Sequence, residues 1–193
     1  MKHSDLLINN IFDSNSVKVG FLSQTDEFDI VTDVLIDKLA NGQRLFIAGN
    51  GGSASDAQHL AAEFVCKFKE VRPAIHAEAL TSDTALITAI ANDFGYEYIF
   101  TRQLEAKAVS GDVFLAISTS GNSKNIVDAL KYCNENEIFS ILLTGKSGGE
   151  AKKFADISLI ANSDNTAFIQ DLHQTIYHSL VECVEIGLNL IKG

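Results

Sequence analysis

Positive charge is scarce in this sequence of 193 residues, which has 15 Lys and Arg against 25 Asp and Glu and a formal net charge of −10. Binding to DNA or RNA phosphates needs clustered Lys and Arg side chains. The composition therefore argues against a nucleic-acid partner. A small phosphate can still be held by local dipoles.

Long apolar runs and an export signal are also missing. No stretch reaches the roughly 20 apolar residues that a membrane-spanning helix needs, and residues 1–10 lack the pattern of a signal peptide. Cys66, Cys133 and Cys183 are odd in number and lack metal-site spacing. We therefore expect a cytoplasmic protein with no membrane partner, in which these cysteines are reduced and mostly buried.

Proline occurs once, at Pro73, so little interrupts the helical patterns. Short apolar runs predict strands, and helical spacing predicts helices between them. The predicted strands are 44–49, 74–80, 112–118, 139–144 and 156–161, and the predicted helices are 21–40, 53–68, 82–91, 95–108, 124–134 and 166–191. For residues 1–20, helix and loop both remain open.

Continuous apolar strands that alternate with helices are typical of a parallel sheet covered on both faces. The prediction is an α/β three-layer sandwich with a five-stranded parallel sheet, an N-terminal helix and a long C-terminal helix. We assign residues 1–193 to a single domain, with 1–42 as an N-terminal helical extension. Ligands in such folds bind outside the carboxyl ends of the strands.

The first loop at that edge, Gly49-Asn-Gly-Gly-Ser-Ala-Ser55, joins a strand to a helix. Glycine lets the backbone approach a ligand closely, and a helix N-terminus presents free N–H groups. The loop also matches a variant dinucleotide fingerprint, with Glu78 as a candidate ribose ligand. An anion site, an NAD-binding module and a tight turn without a ligand all remain open on this loop alone.

The second loop, Ser118-Thr-Ser-Gly-Asn-Ser123, offers hydroxyls at positions 118, 119, 120 and 123. Hydroxyls and helix N–H groups can hold a phosphate monoester without many cations. A capped turn is the alternative, since Ser and Thr are common there. The density of hydroxyls favours an anion site. The loop lacks the Gly-Lys-Ser/Thr of a nucleotide triphosphatase.

The helix after the first loop carries a polar stripe, formed by Asp56, His59, Glu63 and Lys67 at spacings of three or four residues. The stripe is either a solvated face or the border of a pocket. In a pocket, His59 and Glu63 can share a metal ion or divide acid and base roles.

The last predicted helix carries Gln170, Gln174 and His178 among apolar residues. Each alone is well explained as a satisfied, partly buried polar residue. Eight residues rise about 12 Å along a helix, so Gln170 and His178 can meet one ion only at near-maximal reach, or with a contribution from a second subunit.

Together, these motifs resemble the phosphoheptose isomerases of the SIS family. The resemblance runs in the same order from about residue 25 to the end of the chain. It rests on Gly49-Asn-Gly-Gly-Ser-Ala-Ser-Asp-Ala-Gln-His-Leu-Ala-Ala-Glu63, Ala91-Asn-Asp-Phe-Gly95, Ser118-Thr-Ser-Gly-Asn-Ser123, Leu143-Thr-Gly-Lys-Ser-Gly-Gly149 and Ile169-Gln-Asp-Leu-His173.

The resemblance implies a flavodoxin-like SIS fold and conversion of sedoheptulose 7-phosphate into a manno-heptose 7-phosphate for bacterial surface polysaccharides (lipopolysaccharide or capsule). It also implies a homotetramer with active sites between subunits and one zinc ion per subunit. Because glutamine is an unusual zinc ligand, we expect a site of modest affinity.

Roles for individual residues follow from the same resemblance. Glu63 and His178 would be the acid–base pair, and His59, Glu63, Gln170 and His178 would be the metal ligands. The residues that would contact substrate are Asn50, Gly51, Gly52, Ser53, Glu63, Asn92, Asp93, Ser118, Thr119, Ser120, Ser123 and Gln170.

Two positions depart from the family pattern, and two other functions compete. Phe168 and Lys67 stand where the family usually has arginine, which puts phosphate contacts or subunit pairing in question. A non-enzymatic SIS regulator, resembling the DnaA-initiator-associating protein, would lack the residues found here as Glu63 and His178. An NAD-binding domain would have no use for the second loop.

Overall fold

A single parallel sheet lies at the centre of the computed structural model, which describes residues 2–191. In this part of the chain, the five strands have the order β2-β1-β3-β4-β5. They are β1 (Leu45–Gly49), β2 (Ala77–Ala79), β3 (Val113–Ser118), β4 (Phe139–Gly145) and β5 (Ile157–Ala161). The register pairs Leu45 with both Ala77 and Val113. This is the strand order of flavodoxin, so the predicted sheet is confirmed.

Seven α-helices surround the sheet in the described residues. They are α1 (His3–Gly20), α2 (Thr25–Ala40), α3 (Gly52–Val65), α4 (Thr84–Asp93), α5 (Thr101–Lys107), α6 (Lys124–Glu135) and α7 (Thr166–Gly187). Helices α2, α3 and α7 pack on one face of the sheet, and α4, α5 and α6 pack on the other. The three-layer sandwich with an N-terminal helix and a long C-terminal helix is therefore confirmed.

Alternation along the strands explains the two cores. Ile47 and Leu115 lie in the cluster on the α3 side, whereas Phe46 and Phe114 lie in the cluster on the α6 side. All four side chains are fully buried. Because both faces of each strand are covered, the strands are apolar throughout rather than alternating with polar residues.

Residues 3–20 form helix α1, so helix rather than loop is correct for this part of the N-terminal segment. Helix α1 packs on α7, where the Ser14 hydroxyl donates to Asp171 at 2.8 Å. Helix α2 contributes Val31 and Leu35 to the core. The division of the chain into one domain with an extension over 1–42 stays a prediction.

Helix α3 ends earlier than the sequence pattern predicts, at Val65 instead of about residue 68. The Arg72 guanidinium donates to the carbonyl oxygens of Glu63 and Phe64, each at 2.7 Å, and so occupies acceptors at the end of the helix. The Phe68 N–H donates to Glu185 instead of continuing the helix. Long-range contacts therefore override the local pattern.

Two other element boundaries also differ from the predicted ones. The second strand is limited to Ala77–Ala79, and α7 ends at Gly187, close to the left-handed Asn189 at φ 56°.

The expectation of mostly buried cysteines is right for Cys133, but Cys66 is exposed and Cys183 is half-buried. None of the helices between residues 2 and 191 is both long enough and apolar enough to cross a membrane.

Candidate functional site

The two glycine- and hydroxyl-rich loops lie at the carboxyl ends of adjacent strands. Strands β1 and β3 pair in parallel, from Leu45 opposite Val113 to Gly49 opposite Ile117. The chain leaves β1 toward α3 on one face of the sheet and leaves β3 toward α6 on the other. Such a switch point opens the crevice in which open α/β folds bind ligands.

The Asn50 side chain ties the two loops together. It exchanges hydrogen bonds with Asn125, each at 2.9 Å, and it accepts another from the Tyr96 hydroxyl at 2.9 Å. Gly51 has φ 57°, a left-handed conformation that suits glycine. Sequence reasoning missed Asn125 and Tyr96. Asn125 could have been found as a polar residue among the buried positions of α6.

Hydrogen bonds and close packing fix the second loop. The Thr144 hydroxyl donates to the Ser118 carbonyl at 2.8 Å, and the Asn122 N–H donates to the Ser120 hydroxyl at 3.1 Å. Gly121, at φ 64°, lies so close to Gly148 that an added Cβ would be 2.0 Å from the Gly148 carbonyl oxygen.

At the end of this loop, Ser123 precedes α6 without capping it through its side chain. The Ile126 N–H donates to the Ser123 carbonyl at 3.0 Å, which leaves the N–H groups of Lys124 and Asn125 at the start of α6 to face an anion. The hydroxyls of Ser118 and Ser123 lie 3.5 Å apart, so the structure brings them together beside that helix terminus.

His59, Glu63 and His178 come together within one chain. His59 Nε2 lies 3.1 Å from Glu63 Oε1, and the imidazole centroids of His59 and His178 are 5.1 Å apart. One ligand atom from each of the three residues lies within 4.8 Å of the others. Two imidazoles and a carboxylate, all partly exposed, are a donor set that suits a metal ion with an open coordination position.

Gln170 lies elsewhere along the contact between α3 and α7. Its side-chain amide packs against Gly52, at the first residue of α3. His59 follows Gly52 by seven residues, which is about 10 Å along a helix. The Gln170 amide therefore lies near the start of α3, and its role as a metal ligand stays a prediction.

Asn92 and Asp93 end helix α4, where both side chains are exposed. The Asn92 amide donates to the Asp93 carboxylate at 2.7 Å. The segment that follows them reaches the first loop through Tyr96 and Asn50. Substrate contact by Asn92 and Asp93 remains a prediction.

Burial and neighbouring charges shift the pKa of His178. Burial lowers the pKa of His178, the neighbouring His59 lowers it further, and Glu63 partly opposes them. A lowered pKa keeps this imidazole neutral, which is the form that binds a metal or accepts a proton.

The tyrosine beside His178, Tyr177, lies among the buried apolar residues of α7, but its hydroxyl has polar neighbours. Tyr177 Oη lies 3.1 Å from His59 Nδ1 and 3.4 Å from Asp56 Oδ1. Burial, followed by the charge of Asp56, raises the pKa of Tyr177 to about 12. Burial also raises the pKa of Asp56, against the opposing effects of Tyr177 and His59.

Relatives of this chain have the same architecture. The chain matches the SIS-domain family model over residues 14–145. It is 42% identical to a phosphoheptose isomerase of Aneurinibacillus thermoaerophilus, over 94% of this chain and 93% of the relative. It is 46% identical to phosphoheptose isomerase 2 of Campylobacter jejuni, over 90% of this chain and 88% of the relative.

A solved phosphoheptose isomerase structure from Francisella tularensis superposes with a TM-score of 0.91 at 34% identity, covering 95% of this chain and 98% of the other. The chain belongs to the phosphoheptose isomerase family. As a member of this family it is a sugar-phosphate isomerase built on a SIS domain.

The two departures from the family pattern, Lys67 and Phe168, lie in different parts of the fold. Lys67 is exposed and follows the end of α3. Phe168 is partly buried and lines a hollow between α1 and α7 with Leu7 and Ile11. Phe168 therefore contributes to the packing of α1 on α7.

Proposed function

We propose that this isomerase converts sedoheptulose 7-phosphate into D-glycero-D-manno-heptose 7-phosphate, for the heptose of bacterial lipopolysaccharide or capsule. The observation that carries the proposal is the meeting of Glu63 and His178, a carboxylate and an imidazole from different helices. Ketose–aldose conversion moves a proton from C1 to C2 through an enediol or enediolate, and such a pair suits this reaction.

The two side chains divide the proton transfers. Glu63 removes the proton from C1 and returns it to C2. His178 donates a proton to the carbonyl oxygen at C2 and accepts one from the hydroxyl at C1. The lowered pKa of His178 keeps its imidazole neutral near pH 7, and a neutral ring can accept a proton at one nitrogen and donate one from the other.

The three-residue group fits zinc, because two imidazoles and one carboxylate are the protein ligands of several catalytic zinc sites. His59, Glu63 and His178 would hold the ion, with Gln170 of this chain or of another subunit as the fourth ligand. A bound ion would supply Lewis-acid polarisation of the substrate carbonyl. A carboxylate has two oxygens, so Glu63 can bind an ion through one and accept a proton at the other.

The hydroxyl-rich loop would anchor the remote phosphate and so align C1 and C2 with the acid–base pair. Support comes from the uncapped first turn of α6 and the adjacent Ser118 and Ser123 hydroxyls. The remaining proposed substrate contacts are Asn50, Gly51, Gly52, Ser53, Asn92, Asp93, Thr119, Ser120 and Gln170.

We also propose that the chain assembles as a homotetramer with active sites at subunit interfaces. Helix α1 and the turn after it leave large apolar side chains exposed, including Leu7 at 61%, Phe12 at 68% and Leu22 at 65%. Apolar patches of this kind are typical of protein–protein interfaces. Burial against other copies of the chain accounts for them.

Turnover of sedoheptulose 7-phosphate by the purified full chain tests the proposal. The assay compares untreated protein, chelator-treated protein and chelator-treated protein with zinc restored, with unphosphorylated sedoheptulose as the control substrate. We expect turnover only of the phosphate ester, with loss on chelation and recovery with zinc. No turnover under any metal condition would contradict the proposal and favour the non-enzymatic regulator.

A further inference from the structure

His59 has hydrogen-bonding partners on both sides of its ring. Its Nε2 faces Glu63 at 3.1 Å, whereas its Nδ1 lies 3.1 Å from the hydroxyl of Tyr177. Tyr177 is fully buried, so packing from α7 fixes the position of this hydroxyl. The ring of His59 is therefore held between a proposed metal ligand and a buried phenol.

The same hydroxyl continues to a second group, Asp56. Tyr177 Oη lies 3.4 Å from Asp56 Oδ1, and Asp56 is placed on α3 one turn before His59. The other carboxylate oxygen, Oδ2, is buried and has no hydrogen-bond partner within residues 2–191. Asp56 therefore faces the tyrosine with its other acceptor oxygen, Oδ1.

The hydroxyl of Tyr177 has one proton and can donate it in only one direction. When Nε2 of a histidine offers its lone pair to a metal ion, Nδ1 carries the ring proton and donates it outward. The Tyr177 oxygen would accept the hydrogen bond from Nδ1–H of His59. The Tyr177 hydroxyl would then donate its own hydrogen bond to Asp56. A carboxylate at the end of such a chain favours this direction because it only accepts.

We propose that Tyr177 and Asp56 are positioning residues that hold His59 in the Nδ1–H form, leaving Nε2 free to bind the metal ion. The inference rests on the metal site of the proposed function. Outer partners of this kind fix ring orientation and raise the basicity of the ligand.

Zinc affinity tests the inference without any activity assay. Competition with a chromophoric chelator gives the zinc dissociation constant of wild type, Tyr177→Phe, Asp56→Asn and the ligand deletion His59→Ala. Tyr132→Phe is the matched control, because Tyr132 packs against the core on the other face of the sheet. Thermal unfolding in the presence of chelator identifies variants that have lost the fold. If Tyr177→Phe fails to fold, Asp56→Asn serves as the second test, because asparagine keeps an oxygen acceptor at position 56.

We expect Tyr177→Phe to weaken zinc binding by about 10- to 100-fold, Asp56→Asn to weaken it less, and Tyr132→Phe to leave it unchanged. Cobalt(II) at saturation gives a second readout, since its visible absorption bands report ligand geometry. These bands should shift in Tyr177→Phe, which a merely structural role would not cause.

Two results would overturn the inference, and they differ in what they say of the proposed function. If Tyr177→Phe binds zinc as wild type does while His59→Ala does not, the metal site stands and the tyrosine has no part in it. If His59→Ala also binds zinc as wild type does, the metal site itself is wrong.

Discussion

The side-chain nitrogen of Gln170 occupies the space that a side chain on Gly52 would need. A Cβ added at Gly52 would lie 2.3 Å from Gln170 Nε2. The glycine lets α7 bring a polar amide against the first turn of α3, at the loop proposed to bind substrate. This close approach explains the residue type at position 52 without invoking an unusual backbone conformation.

The first prediction is that Gly52→Ala displaces Gln170 and lowers isomerase turnover. The cost in stability should be small, because the displaced group is the end of a flexible side chain and alanine gains about 0.5–1 kcal/mol over glycine within a helix. Steady-state kinetics and thermal unfolding measure the two effects. Gly20→Ala is the control, since no atom lies within 4 Å of a Cβ added there. Equal activity of both variants would contradict the role of Gln170.

The second prediction concerns the acid–base pair. Glu63→Gln keeps the shape of the side chain but removes the group that accepts a proton, so turnover of sedoheptulose 7-phosphate should fall by about 10²- to 10⁴-fold. Exchange of substrate carbon-bound hydrogen with deuterated water should fall in parallel. Glu182→Gln, a partly exposed carboxylate on α7, is the control. Retained turnover by Glu63→Gln would refute the assignment of the base.

Local patterns were sufficient to predict the layers and the two loops. Apolar strands followed by glycine or hydroxyl residues give the sheet and its ligand-binding edge, and helical spacing puts His59 and Glu63 on one face of α3. That His178 joins them in the same chain depends on how α7 packs along α3. Periodicity carries no information about that packing.

Other features depend on contacts that are distant in sequence. Asn50 meets Asn125 across two loops, and α3 ends where Arg72 takes its carbonyl oxygens. Tyr177 follows the apolar pattern of α7, yet its hydroxyl faces Asp56. Tertiary packing determines these hydrogen-bond partners, so the sequence pattern alone cannot predict them.

The third prediction concerns the buried ion pair of Arg72 and Glu185. Both side chains are fully buried, with Arg72 Nε donating to Glu185 at 2.7 Å. Arg72→Met should lower the free energy of unfolding by about 3–5 kcal/mol, because it leaves a buried carboxylate unpaired. Urea unfolding measures this change.

The control for this pair is Lys69→Met. Lys69 bridges the same segment to Glu182 on α7, but both side chains are exposed. Removing such a surface pair should cost less than about 1 kcal/mol. The double variant Arg72→Met/Glu185→Leu should recover only part of the loss, since the carbonyl oxygens of Glu63 and Phe64 would still lack their donor. Equal costs for Arg72→Met and Lys69→Met would contradict the prediction.

The fourth prediction is a dependence of stability on pH that arises from His173. This side chain is fully buried, and its Nε2–H donates to the Thr144 carbonyl at 3.0 Å. Its Nδ1 has no hydrogen-bond partner in the described part of the chain, so a proton added there would find no acceptor. Burial lowers the pKa of His173 from 6.5 to about 4, against the opposing Thr144 hydrogen bond.

Between these two pH values the unfolded chain binds a proton at this histidine and the folded chain does not. The contribution of neutral His173 to the free energy of unfolding is therefore fully present above pH 6.5 and is lost as the pH falls toward about 4. The full loss is about 3 kcal/mol, because each pKa unit corresponds to about 1.4 kcal/mol. Urea unfolding at pH 7 and pH 4 should show a larger drop in wild type than in His173→Gln, by that amount. His76→Gln, which removes an exposed histidine, should keep the drop of wild type, and an equal drop in His173→Gln would refute the assignment.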